Sequence, residues 1–235
     1  MIYELRLYSV APGRMADVHS RFNDHLPALF QRHGVQCVGR WSALAGPDAP
    51  RFVYLMAYRD YAHREATWAG FYQDAEWWRI RADTNAGHEM VERHDLFFLK
   101  PNAVWDVDAT PGEAVGGLHE LVQQQVAPGQ NVQANAFLKD LWLPLLREAG
   151  ARILGVFDMA AGTGMPKIVL LYAWPDANTW HAGRKLIDSH GPLRDALAAQ
   201  RKALGDTAFM RSEVNLLEPA PGVTIYAGLG LISMH

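Results

Sequence analysis

The sequence predicts an α+β fold in which one small domain occurs twice. Tyr3-Glu4-Leu5 precedes Val10-Ala11-Pro12-Gly13, and the pattern returns as His119-Glu120-Leu121 before Val126-Ala127-Pro128-Gly129, a shift of 116 residues from Pro12 to Pro128. Three further matches keep this shift: Val53 with Val169, Ala57 with Ala173, and Asp60 with Asp176. A period of this length is typical of a duplicated domain and too long for a solenoid repeat.

The elements of the first copy follow from its hydrophobic periodicity. Alternation predicts a strand over 2–10, and helical spacing after the Pro-Gly turn predicts a helix from Arg14 to His33. Further strands are predicted over 35–42, 51–58 and 90–99, with helical segments from Tyr61 and over 74–80. This order of strand, helix, strand, strand, helix, strand is that of ferredoxin-like folds.

The second copy repeats this order, with strands over 118–126, 152–158, 167–174 and 208–217. We therefore expect two tandem ferredoxin-like βαββαβ repeats that pair as one α+β barrel. The predicted domains are repeat one over 1–101, a linker over 102–116, repeat two over 117–218 and a C-terminal tail over 219–235. The apolar, glycine-broken stretch 223–234 of the tail is expected to dock as a strand.

Both long helices contain a proline, Pro27 in repeat one and Pro144 in repeat two. A proline in the interior of a helix costs roughly 3 kcal/mol, because it removes a hydrogen bond and its ring clashes with the preceding turn. Its presence in both copies predicts a shaped feature, such as a kink that widens the space beneath the helix.

Composition narrows the class of protein. Hydrophobic residues make up 49 % and charged residues 20 %, as in ordinary globular proteins. The formal net charge of −3, without a run of Lys or Arg, argues against nucleic acid as a partner. A single cysteine, Cys37, and charges at the N-terminus where a signal peptide would be apolar predict a cytoplasmic protein without a membrane partner.

Several motifs of repeat one occur together in the order found in one family: 3–8, 12–14, 22–27, 33–34, 39–41, 62–64 and 76–77. On these motifs repeat one resembles a NIPSNAP domain of the dimeric α+β-barrel superfamily, and repeat two resembles a diverged copy. The resemblance implies that two four-stranded sheets face each other as a barrel. Because both copies lie in one chain, it also implies an intramolecular pseudo-dimer, while a further homodimer stays open.

The resemblance implies a cavity between the sheet and its helices, so titratable groups near this layer are candidates for catalysis. His25 is the first, since an imidazole titrates near neutral pH and can move a proton. A helix histidine bonded to a backbone carbonyl is the alternative. His63 and Arg64 form a second candidate group at the start of a helix, with a solvent-exposed first turn capped by Asp60 as the alternative.

Aromatic residues of repeat one are candidates for the wall of a substrate pocket: Tyr8, Phe22, Trp41, Tyr54 and Trp77. Packing in the core is the alternative for each of them. Glu4 and Arg6 share a face of the first strand with Tyr8. If that face points into the barrel, Glu4 and Arg6 must form an ion-pair network that includes Glu120 of repeat two.

No metal is predicted. His88-Glu89-Met90-Val91-Glu92 resembles the zinc pattern H-E-x-x-H, but Glu92 replaces the second histidine and the segment enters a predicted strand. No other cofactor is predicted either, although haem stays open because it needs only one axial histidine.

Two functions from different classes stay open, and the sequence does not decide whether the protein is an enzyme. In the first, the cavity binds a small apolar or aromatic molecule and a histidine shuttles a proton, with cofactor-free oxygenation or isomerisation as the reactions that the resemblance implies. In the second, the protein is a non-catalytic carrier of haem or a hydrophobic ligand, or a scaffold.

Overall fold

The protein is described by a computed structural model that covers residues 1–106 and 112–229. Its longer strands close into an antiparallel barrel, and two layers of helices pack on the outside of this barrel. The strands of the described residues are β1 (Ile2–Val10), β2 (Gln36–Ala45), β3 (Arg51–Tyr58), β4 (Val91–Pro101), β5 (Ala114–Val115), β6 (Leu118–Val126), β7 (Arg152–Ala161), β8 (Lys167–Trp174), β9 (Phe209–Pro219) and β10 (Ile225–Tyr226).

The helices of the described residues follow the predicted order. They are α1 (Met15–Ser20), α2 (Leu26–His33), α3 (Tyr61–Gln73), α4 (Ala75–Asn85), α5 (Asn131–Phe137), α6 (Leu143–Glu148), α7 (Ala177–Ser189) and α8 (Gly191–Leu204). A π-helical segment joins α1 to α2 over Arg21–His25, and a second one joins α5 to α6 over Leu138–Trp142.

The barrel has the strand order β1-β3-β2-β9-β6-β8-β7-β4, and β4 returns to β1. Each half contributes a four-stranded sheet in the same internal order. The two sheets join where β2 pairs with β9 and where β4 pairs with β7. The α+β barrel predicted from the sequence is confirmed, and the barrel closes within a single chain.

The linker and the tail are joined by a short ribbon that the sequence did not predict. β5 of the linker pairs with β10 of the tail, with Ile225 opposite Val115. The predicted strand over 223–234 is therefore reduced to two residues within the described part of the tail. Residues 107–111 of the linker and 230–235 of the tail lie outside the described residues.

Each helical proline lies just after a π-helical segment. Pro27 and Pro144 each occupy the first turn of the following helix, where the missing amide hydrogen costs little. A π-helical turn contains one residue more than an α-helical turn. Side chains five residues apart therefore share a face there, whereas in an α-helix those four apart do. Arg21 and Leu26 are thus both buried while His25 is exposed.

The barrel interior is filled by apolar side chains of both halves, among them Trp41 from β2 and Phe157 from β7. A β-bulge lies beside each of these rings, at Gly39 and at Gly155. A Cβ atom at Gly39 would lie 2.1 Å from the Trp41 ring, so only glycine allows the ring to pack over the strand.

A polar contact joins the two halves inside the barrel. The Trp41 indole Nε1 donates to Nδ1 of His119 over 2.9 Å, and Nε2 of His119 lies 3.3 Å from the carbonyl of Gly116. Burial lowers the pKa of His119 to about 4, although the Gly116 carbonyl opposes this shift. His119 is therefore neutral at pH 7.

This burial predicts an acid sensitivity of the barrel. The unfolded chain takes up a proton on His119 near pH 6.5, whereas the folded protein does so only near pH 4, so stability falls as the pH drops through this window. We expect the His119 contribution to fall by about 2 kcal/mol between pH 7 and pH 5. Denaturant unfolding of the parent and of His119→Asn at both pH values measures this contribution. In the variant, the amide oxygen of the new side chain can still accept from Trp41, and this side chain has no proton to gain in this pH range.

The expected result is a smaller acid-induced loss of unfolding free energy in His119→Asn than in the parent. Parallel pH dependences of the two proteins would contradict the assignment of this loss to His119.

Candidate functional site

A cavity of about 410 Å³ lies between the sheet of the first half and its helices. Strands β1, β3 and β4 form its floor, and residues of α1 to α4 form its walls. Its charged and aromatic lining residues are Arg6, Tyr8, Arg21, Phe22, Phe30, Tyr54, Arg64, Trp68, Phe71, Tyr72, Trp77, Trp78, Arg81, Glu89 and His94. A volume of this size suits a small organic ligand.

Strand register brings the polar groups of the floor together. Arg6 on β1 is opposite Tyr54 on β3, and Tyr8 on β1 is opposite His94 on β4. Even-numbered residues of β1 face the helices, whereas Tyr3, Leu5 and Leu7 fill the barrel. Three adjacent strands thus present one polar cluster to an aromatic cavity.

Every nitrogen of the Arg6 guanidinium is engaged. Its Nε donates to Oε1 of Glu4 over 2.6 Å, and its Nη2 lies 2.6 Å from the same oxygen. Its Nη1 donates to the hydroxyls of Tyr8 and Tyr54 over 3.1 and 3.2 Å. Its face also packs over the ring of Trp68, with Cζ 4.1 Å from the ring centroid. The guanidinium is therefore fixed in position and orientation.

The Glu4 carboxylate, which is completely buried, anchors this arrangement. It accepts from Nε of Arg64 on α3 over 2.8 Å and from Arg6 on its own strand. Charge-assisted hydrogen bonds from two cations offset the cost of removing a carboxylate from water. This contact also ties helix α3 to the sheet below it.

The two tyrosines form a directed hydrogen-bond chain. The Tyr54 hydroxyl donates to the Tyr8 hydroxyl, which also accepts from Arg6. Burial raises the pKa of Tyr54 well above its usual value, against the opposing effect of Arg6, so Tyr54 stays protonated. No acceptor for the Tyr8 hydroxyl proton is found among the described residues, which leaves this proton available to a ligand in the cavity.

His94 lies at the mouth of the cavity, with its ring edge-on to Tyr8 at a centroid distance of 4.4 Å. Burial of its inner side, assisted by the charge of Arg6, lowers the pKa of His94 below its usual value. The imidazole is therefore neutral at pH 7. A neutral imidazole next to a hydroxyl donor can accept a proton from a bound molecule.

The wall opposite the floor is aromatic. Trp68 and Phe71 of α3 lie edge to face with centroids 5.1 Å apart, and Phe71 and Trp77 of α4 lie 5.0 Å apart. Phe22 packs against Tyr54 from the side, at 5.1 Å. Rings in these arrangements favour a flat, unsaturated ligand.

Four of the five predicted wall residues line this cavity: Tyr8, Phe22, Tyr54 and Trp77. Trp41 does not line it. Trp41 faces the opposite side of the sheet and packs in the barrel, where its N–H is already bonded to His119. Binding of a substrate by the four wall residues stays a prediction.

Of the three predicted catalytic residues, only Arg64 lines the cavity. His25 is exposed and lines neither of the two large cavities. The backbone N–H of His63 donates to the Asp60 cap, and its Nδ1 accepts from the N–H of Arg59 over 3.3 Å. His63 therefore has a local role at the start of α3, and catalytic roles for it and for His25 stay predictions.

The condition for a network that joins Glu4 to Glu120 is not met, because both side chains point away from the barrel interior and toward their own helices, whereas the Glu4–Arg6 ion pair is present. Glu120 accepts instead from the indoles of Trp174 and Trp180 over 3.2 and 2.9 Å. Trp180 is the counterpart of Arg64 at the 116-residue shift. The second half thus holds the same carboxylate with neutral donors.

Arg21, Trp68 and His94 are among the residues of the site that were not predicted from the sequence. Arg21 is hidden by the change of helical face in the π-helical segment. His94 and Tyr8 meet only through the register between β4 and β1, and one sequence contains no signal for that register. The position of Trp68 over Arg6 depends on the docking of α3.

A second cavity, of about 800 Å³, lies between α2, β2 and the tail. Its chemically active groups are Arg40 and Cys37, and burial raises the pKa of the Cys37 thiol to about 11. A thiol with such a pKa is a poor nucleophile at neutral pH. The smaller cavity, in which a base, hydroxyl donors and cations converge, is therefore the candidate site.

The described residues contain no group of three or more His, Cys, Asp or Glu side chains that could hold a metal ion. In the same part of the chain, no helix has both the length and the hydropathy needed to cross a bilayer.

Comparison with known proteins relates this fold to solved structures. A "putative monooxygenase" from Lactobacillus acidophilus is 11 % identical and has a TM-score of 0.59, over 97 % of this chain and 96 % of that chain. An anthrone oxidase-like protein is 14 % identical with a TM-score of 0.58, over 97 % and 93 % of the two chains. At these identities, the similarity shows the shared fold alone.

A NIPSNAP domain protein from Burkholderia xenovorans is 23 % identical over 45 % of this chain and 99 % of its own, with a TM-score of 0.40. No curated protein matches the chain. The family model of NIPSNAP matches residues 3–104, which include β1 to β4 and α1 to α4 and thus all the lining residues of the candidate site. The first half of this chain is a NIPSNAP domain.

Proposed function

We propose that the cavity of the first half binds a flat aromatic molecule with an acidic C–H or O–H, and that His94 removes this proton. One observation carries the proposal. A neutral imidazole, a hydroxyl with a free proton and a fixed guanidinium converge on one face of an aromatic cavity. A base and a site for the resulting oxyanion are the two groups that such a deprotonation needs.

The oxyanion would lie against Tyr8. Its hydroxyl proton has no acceptor in the described protein, and its oxygen accepts from both Arg6 and Tyr54. Hydrogen bonds accepted by a hydroxyl polarise its O–H and strengthen the bond that it donates. The Arg6 charge behind Tyr8 further stabilises negative charge that develops on the ligand oxygen.

Anthrone illustrates the chemistry, and the name of the anthrone oxidase-like neighbour supports its choice as a probe. His94 would take a proton from the C10 methylene of anthrone, which leaves the anthrolate anion. Dioxygen would then add to C10 of the anion, with transfer of two electrons, to give a C10 hydroperoxide after protonation. Loss of the second C10 proton with cleavage of the O–O bond would release water and form the second carbonyl. Anthrone and dioxygen together give anthraquinone and water. Return of the proton to another carbon would instead give isomerisation.

Non-catalytic carriage of haem is the second candidate. The cavity contains His94, and the arginines on its wall could pair with the carboxylates of haem. Haem carriage would use His94 as axial ligand, since it is the histidine on the described wall of this cavity. A Soret band after addition of haemin that is lost in His94→Gln would favour this role over proton transfer.

The first test measures proton abstraction without oxygen. Under anaerobic conditions, the protein should speed exchange of the C10 protons of anthrone with deuterated water, as followed by NMR. Loss of a general base lowers a rate by about 10²–10⁴-fold, so His94→Gln should lower the exchange rate by at least the smaller factor.

His25→Gln is the matched comparison, because it makes the same change at an exposed histidine away from the cavity. Its exchange rate should equal that of the parent. A loss in His25→Gln with full activity in His94→Gln would overturn the assignment and support His25 as the base.

The second test uses the pH dependence of this exchange. His94 acts as a base only when it is neutral, so the rate should fall as the pH drops through its pKa. Because burial and Arg6 lower that pKa, the midpoint of the acid limb should lie below the ordinary value of about 6.5. A midpoint above pH 7, or an acid limb that persists in His94→Gln, would contradict the proposal.

A further inference from the structure

Arg21 is a buried cation on the wall of the candidate site, and the proposed reaction does not use it. Arg21 is 7 % exposed, and it lines the cavity from its position in the π-helical segment. Its Nε donates to the Thr84 hydroxyl over 2.7 Å, and its Nη2 donates to Oδ1 of Asn85 over 2.5 Å and to the Arg81 carbonyl over 3.4 Å.

All these partners are uncharged. No carboxylate of the described residues lies within ion-pair distance of Arg21, and no described residue accepts from its Nη1. Burial is the main cause of a pKa of about 10 for Arg21; Arg81 adds to the effect, and Glu89, which Asn85 contacts, opposes it. A buried cation without a directly paired carboxylate costs free energy, and an anionic ligand at the guanidinium would offset that cost.

The whole wall has the same imbalance. Four arginines line the cavity, whereas three carboxylates pair with them, Glu4, Glu65 and Glu89. Glu4 is shared by Arg6 and Arg64, the exposed Glu65 also pairs with Arg64, and Glu89 pairs with Arg81. Arg21 is therefore the arginine of this wall that lacks a carboxylate partner among the described residues.

An aromatic row connects Arg21 to the oxyanion site. Arg6 lies over Trp68 at 4.1 Å, and Arg21 lies over Trp77 at 5.8 Å. Phe71 lies between the two indoles, about 5 Å from each. A flat ligand packed along this row would have one guanidinium at each end.

We infer that the ligand is an aromatic acid, with a hydroxyl or carbonyl oxygen at the Arg6 end and a carboxylate at Arg21. This inference rests on the proposed function, because it names the substrate class of the same cavity. Arg21 then determines specificity, since it distinguishes an anionic substituent from a neutral one of equal shape. Its free Nη1 supplies the charge-assisted hydrogen bond to the carboxylate.

The test compares two probes of nearly equal shape, the anionic 6-hydroxy-2-naphthoate and the neutral 6-hydroxy-2-naphthamide, by isothermal titration calorimetry. The parent protein should bind the carboxylate roughly tenfold or more tightly than the amide, as a charge-assisted hydrogen bond predicts. Arg21→Met should remove this preference and leave the affinity for the amide within about threefold. Arg21→Lys, which keeps the charge, should retain part of the preference.

Arg40→Met is the matched control, because Arg40 packs against the same Phe22 ring but lines only the second cavity. Its preference for the carboxylate should equal that of the parent. Thermal unfolding of each variant shows whether the fold is kept. If Arg21→Met does not fold, the parent and Arg21→Lys still decide the outcome.

Equal affinities of the parent for the two probes would overturn the inference and leave the proposed function standing. A preference that persists in folded Arg21→Met would also overturn it, since the charge sensor would lie elsewhere. If neither probe binds, the aromatic cavity itself is misassigned, and the proposed function falls together with this inference.

Discussion

The buried Glu4 carboxylate is the constraint on which the candidate site depends. It is 0 % exposed, and its oxygens are held by Arg6 from the same strand and by Arg64 from α3. This arrangement fixes the guanidinium that positions Tyr8 and Tyr54, and it docks the helix that carries Trp68. The shape of the aromatic cavity and the orientation of its hydroxyls therefore follow from one buried ion-pair network.

The two halves of the barrel show what this network adds to a shared scaffold. At matching positions, the second half has Val122 for Arg6, Leu170 for Tyr54 and Trp180 for Arg64. Glu120 remains, but tryptophan N–H groups satisfy it, and aliphatic side chains such as Leu170 fill the layer. The first half has a cavity lined by charged and aromatic residues, whereas apolar side chains fill the corresponding layer of the second half. The second half supports the barrel that positions the first.

The fold could be predicted largely from the sequence, because two signals agree with each other. Strand alternation is visible within each half, and the same motifs return at a shift of 116 residues. Four residues that line the cavity, Tyr8, Phe22, Tyr54 and Trp77, were also named as candidates, because large aromatic side chains between a sheet and its helices either pack in the core or line a cavity. The proposed base, His94, was not predicted. His94 needs the register between β1 and β4, and a π-helical segment changes the face on which Arg21 and His25 lie. The register depends on tertiary pairing, and the π-helical segment departs from the regular helical period, so the periodicity of the sequence shows neither of them.

The most direct measurement is the free energy of unfolding of Glu4→Gln compared with that of Glu120→Gln, by denaturant titration at pH 7. Glu4→Gln leaves Arg6 buried without its counter-ion, which costs about 3–5 kcal/mol. Glu120→Gln disturbs only neutral donors, so about 1–3 kcal/mol is expected. A clearly larger loss for Glu4→Gln is the predicted result. Equal losses, or a loss below about 1 kcal/mol for Glu4→Gln, would contradict the claim that this ion-pair network holds the site together.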